Sequence, residues 1–144
     1  MKPDFSYNAV PYDYTHCLNG QCLRAETCLR HQVALRIPPE RGIINIVNPS
    51  HIVASGDQCE YFQADRLRRY ARGINHLLDN IPHKLAVVIK QEMISHFGQS
   101  HFYRLQRKER LFTPAQQEYI QKLFQQRGIK ESPAFDEYIE QYDF

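Results

Sequence analysis

Apolar residues recur at three-or-four spacing through the second half of the chain, a period that predicts helices. Phe62, Leu67, Tyr70, Ala71, Ile74, Leu77 and Leu78 trace one stripe that ends before Pro82. Leu85, Val88, Ile89 and Met93 continue a second stripe to Phe97, where Gly98 supplies a C-terminal stop. Ser100 is placed to cap a short third helix carrying Phe102, Tyr103 and Leu105. Thr113-Pro114-Ala115-Gln116 is a capping box with proline at the first helical position. It opens a helix presenting Tyr119, Ile120, Leu123 and Phe124 and stopping at Gly128. Ser132-Pro133 predicts a last short helix with Phe135, Tyr138 and Ile139 on its apolar side.

The first sixty residues lack such a period. Residues 1–16 read as an extended arm anchored by its aromatics, and Cys17 to His31 as turns leading into a short helix that Pro38 and Pro39 stop. Ile43, Ile44, Ile46 and Val47, bounded by Asn48-Pro49, predict one short strand. Its partner would be the arm or the segment around Ile52 and Val53. The expected fold is therefore mainly α. A cysteine-rich arm and module over residues 1–60, with at most a short two-stranded sheet, packs on a helical domain of four to five helices over residues 61–144.

Composition adds size, compartment and charge. The 144 residues fit one ordinary domain, or a small module fused to a helical one. The opening residues carry acids, prolines and polar groups where a secretory signal needs an apolar run. The longest apolar stretch, Leu85 to Ile89, is far short of the roughly 20 residues that span a bilayer. The expectation is a cytoplasmic protein with no membrane partner. Net charge is only +2, but Arg66, Arg68, Arg69 and Arg72 form one basic group and Arg104, Arg107, Lys108 and Arg110 another. Residues 131–144 carry acids and no Lys or Arg. Each of these groups is also what an ordinary solvated face looks like.

Cys17, Cys22, Cys28 and Cys59 give the spacing C-x4-C-x5-C-x30-C. In a reducing compartment clustered cysteines point to thiolate ligands or free thiols rather than disulfides. Zinc closes a structural site with four cysteines, or with three and a histidine. The candidate ligands are thus Cys17, Cys22, Cys28 and Cys59, with His16 and His31 as alternates. An iron–sulfur cluster fits the same donors, and thiols acting as small buried hydrophobes need no metal at all. Catalysis has little positive support. No H-E-x-x-H, G-x-S-x-G, G-x-x-x-x-G-K or G-x-G-x-x-G occurs, and His76, His83 and His96 read as ordinary surface or half-buried histidines.

Residues 84–129 resemble a bacterial repressor-type helix-turn-helix. A helix ends in His96-Phe97-Gly98, a polar turn at Gln99-Ser100 leads into His101-Phe102-Tyr103-Arg104-Leu105, and a basic exit runs through Arg110 to Thr113-Pro114. The resemblance implies a recognition helix with Gln99, Ser100, His101 and Arg104 facing DNA and Arg107, Lys108 and Arg110 contacting phosphates. Ile94 and Gln99 depart from that family's small and apolar residues. A plain helical hairpin explains the same apolar positions. The whole chain also resembles a family of short uncharacterised proteins of gut Bacteroidetes. The shared segments are Tyr14 to Cys17, Cys28 to His31, Ile46 to Pro49, Cys59 to Phe62 and Phe135 to Tyr138. The leading expectation is a regulatory nucleic-acid-binding protein with a structural zinc site and DNA as partner. The alternatives are a metal-free protein-interaction or scaffold module, and a thiol- or iron–sulfur-based redox protein.

Overall fold

The computed structural model describes residues 1–55 and 58–144, except for the side chains of residues 53–55. Among the described residues the α-helices and strands are strand β1 (Thr15–His16), helix α1 (Leu29–Ala34), strand β2 (Asn45–Ile46), helix α2 (Pro49–Ser55), strand β3 (Leu67–Arg72), helices α3 (His83–Phe97), α4 (Gln99–Gln106) and α5 (Pro114–Gln126), and strand β4 (Glu137–Tyr142), with 3-10 turns at Tyr7–Ala9 and Ala25–Thr27. They form two separate two-stranded sheets, β1 with β2 and β3 with β4. This overturns the mainly α expectation.

The chain divides into two units, residues 1–67 with 142–144, and residues 68–141. In the first, β1 and β2 pair in parallel, with Thr15 opposite Asn45 and His16 opposite Ile46. The arm is therefore the strand partner. Ile52, the other candidate, lies in α2 with Val53, whose side chain is outside the described residues. The expected apolar strand shrinks to two residues, and Ile43 is exposed. Val10, Tyr14, Leu29, Val33 and Tyr142 form the unit's core cluster.

The second unit has a larger core. Ile89 and Met93 of α3, Phe102 and Leu105 of α4, and Ile120, Leu123 and Phe124 of α5 bury together with Ala71, Phe112 and Phe135. The capping box forms as expected. The Thr113 side chain accepts from the Gln116 N–H, and the Gln116 side chain accepts from the Thr113 N–H at 2.9 Å. Gly98 ends α3 at φ 84° and itself stands at the N-cap of α4, so Ser100 falls inside the first turn instead of capping it.

Two predicted helices are strands instead. The stripe from Phe62 to Leu78 contains β3, which stops before Gly73 at φ +79°. A Cβ at Gly73 would meet the Asp136 carboxylate and the Lys108 side chain, and the positive φ itself favours glycine. The Ser132-Pro133 start signal leads to β4, because residues 137–142 pair with β3. Cross-strand pairing overrides the period here. Arg69 stacks over the Tyr138 ring at 3.7 Å, and the Arg72 guanidinium lies 3.6 Å from Glu137.

Candidate thiol site and basic helix face

The four cysteines come together. Cys17, Cys22, Cys28 and Cys59 all line one cavity of about 20 Å³, and so does His31. That is room for about one water-sized sphere. Three backbone devices bring the segments there. The Cys17 N–H donates to Arg30 O at 3.2 Å, an antiparallel bridge joins Cys28 to Ala64, and the Leu29 N–H donates to Gln63 O at 2.6 Å. Arg30 pins the remaining pieces, donating from Nη1 to Thr15 O at 2.7 Å and from Nε to Tyr61 O at 3.0 Å. Ala25, Val47, Ile52 and Phe62 add apolar wall, and the Arg24 guanidinium lies 3.3 Å over the Phe62 ring.

All four thiols are free, with Cys28 buried and the others half-buried. Burial pushes the Cys17 thiol up, a backbone hydrogen bond at Asn19 pulls the other way, and the charges of Cys28, Cys59 and Cys22 add to the rise. The Arg24 N–H donates to Cys22 Sγ at 3.4 Å. Among the described residues no three His, Cys, Asp or Glu side chains stand close enough together to hold an ion as they are placed.

The two alternate histidines separate by their hydrogen bonds. His16 is fully buried and both its ring nitrogens are engaged. Nδ1–H donates to Asn45 O at 3.1 Å, and Nε2 accepts from the Tyr7 hydroxyl at 2.8 Å. Burial holds its pKa below the ordinary histidine value, so it is a neutral tether between the arm and β2. His31 uses one nitrogen, Nδ1, donating to Cys17 O at 3.0 Å. Arg30 and the Tyr14–Gln63 bond at 2.7 Å organise the site, yet nothing in the sequence announced them beyond the C-L-R-H string itself.

The residues expected to meet DNA divide into an exposed set and a set engaged by other side chains. Gln99, Ser100, Arg104 and Arg110 are exposed. His101 instead faces Gln116, its Nε2 lying 3.4 Å from Gln116 Nε2, and its ring meets Phe97 edge-on. Arg107 pairs with Glu109 at 2.8 Å. Lys108, at φ 65°, extends toward Asp136 at 3.8 Å and Glu137 at 3.9 Å. Of the C-terminal acids, Asp136 just before β4 and Glu137 at its start thus lie near Lys108.

Among the described residues no helix is long and apolar enough to cross a membrane. No curated protein and no solved structure matches the chain. One family model matches residues 1–144, from the arm through the cysteine cavity to β4, and the chain belongs to that family of unknown function, DUF6078.

Proposed function

We propose that residues 68–141 bind nucleic acid through the outer face of α4 and the turn that follows it. One observation carries this reading: α4 turns Phe102 and Leu105 inward and Gln99, Ser100 and Arg104 outward, and Arg110 is exposed just beyond it. The charge of the chain favours the same unit, which holds twelve Lys and Arg against eight Asp and Glu, while the remaining residues are net acidic. Phosphate contacts release counterions, so affinity for a DNA duplex should fall steeply with salt. Fluorescence anisotropy with duplex DNA at low and moderate salt tests this. Binding that weakens with salt, and weakens further in an Arg104→Ala/Arg110→Ala variant, supports the reading. No binding at low salt, or binding indifferent to both arginines, overturns it.

A protein-interaction role is the second reading, favoured by Leu23, Ile43, Tyr12 and Leu35 in residues 1–67, which are 84%, 76%, 75% and 65% exposed. A partner retained at high salt by the wild-type protein, and lost by Leu23→Ser/Ile43→Ser, would favour it.

A further inference from the structure

We infer that the cavity among the cysteines is a binding site for one soft divalent cation, zinc, held by His31 Nε2 and three of the four thiolates. This is independent of the nucleic-acid reading. Three observations carry it.

Four cysteines and His31, from segments as far apart as Cys17 and Cys59, line a single cavity of about 20 Å³. Residues gathered merely as small hydrophobes have no reason to bring an imidazole with them. The volume suits one ion and not a multi-iron cluster.

His31 is set up as a ligand and His16 is not. A ligating imidazole donates its other ring N–H to a carboxylate or backbone carbonyl, which fixes tautomer and orientation. The His31 Nδ1–H to Cys17 O bond does this and leaves Nε2 with its lone pair. His16 spends both nitrogens on Tyr7 and Asn45. One sulfur is also tied to the backbone beside it, since the Arg24 N–H donates to Cys22 Sγ at 3.4 Å.

The unit around the cavity is short of other cohesion. Its core cluster holds Val10, Tyr14, Leu29, Val33 and Tyr142, and β1 and β2 contribute two residues each. Small cores of this kind are commonly completed by a metal or disulfides. As the side chains stand, no three donors meet at one point, so binding requires these side chains to rearrange around the ion.

The test uses the full chain, expressed with zinc and purified under reducing conditions without chelator, then stripped and titrated with cobalt(II). About one equivalent of zinc and intense visible bands of tetrahedral cobalt–thiolate are expected. His31→Asn keeps a donor where Nδ1 stood and removes Nε2. It should weaken cobalt binding more than the roughly 10-fold typical of an outer-shell change and shift the bands. His16→Asn should leave the spectrum unchanged. Three of the four single Cys→Ser variants should weaken binding and one should not. The cadmium-113 shift of cadmium-loaded wild-type protein reads the sulfur count without any substitution. Zinc near background with no cobalt bands overturns the proposal. So does iron with sulfide, or a four-sulfur cadmium shift with all four cysteines required and His31 dispensable.

Discussion

The two units reach stability by different means. Residues 68–141 are organised around a continuous apolar core in which Phe112, Phe102, Leu105, Ile89, Met93 and Ile120 are almost wholly removed from water. Residues 1–67 with 142–144 have a smaller core and are held largely by directed polar links: Arg30 to Thr15 and Tyr61, Tyr14 to Gln63, His31 to Cys17 and His16 to Tyr7 and Asn45. Apolar burial is non-directional and tolerates repacking, whereas a hydrogen bond left half-made inside a protein exposes its partner to the full desolvation cost. The first unit should therefore respond sharply to loss of single polar atoms, and the second to loss of volume.

The largest effect should come from volume. Phe112 is fully buried and packs on Phe97 and Phe135. Phe112→Ala should destabilise by about 3–5 kcal/mol in urea melts followed by circular dichroism. A loss below about 1 kcal/mol would remove the distinction drawn for this unit. Next comes the polar tether: His16→Phe keeps a flat aromatic ring but removes the partner of the Tyr7 hydroxyl and the Asn45 carbonyl. A cost of about 1–3 kcal/mol is expected, with amide exchange rising around Thr15–His16 and Asn45–Ile46 while α5 stays protected.

Gly73→Ala should lose about 1–2 kcal/mol from its left-handed backbone alone, with further disturbance as the new methyl displaces Asp136. Nuclear magnetic resonance shifts at Lys108 and Asn75, both partners of Asp136, should report that displacement. The smallest effect belongs to Thr113→Ala, which removes one capping oxygen from α5 at about 1 kcal/mol. Loss of protection confined to the first turn of α5 is the expected readout.

Legibility in the sequence follows the same division. The chain signalled α3 and α5 because their boundary chemistry is local. Gly98 at positive φ and the Thr113–Gln116 reciprocal bonds act within a few residues of themselves. Even there the period misplaced Val88, which is 40% exposed. β3 and β4 were misread because their pairing partner lies about seventy residues away, and no window of residues contains both. The cysteine spacing drew attention to four residues that share a cavity. It could not separate His31 from His16, because the difference is the Tyr7 hydroxyl that occupies His16 Nε2, a contact the spacing does not encode. The basic group at 104–110 was visible as charge, but the pairing of Arg107 with Glu109 and the strand that brings Glu137 to Lys108 depend on the folded backbone.

The parallel pairing of β1 with β2 bears on how the chain folds. His16 and the Asn45 carbonyl it binds are 29 residues apart in sequence, and the strands they tie contribute only two residues each. Closing so long a loop loses chain entropy before two short strands return anything, whereas α3 and α4 meet across a single glycine. Refolding should then proceed in two phases, with helical signal recovering first and the environment of Tyr14 recovering later. The late phase is the interval in which the thiols lie open to oxidants, so reductant present during refolding should raise the yield of native protein chiefly through residues 1–67.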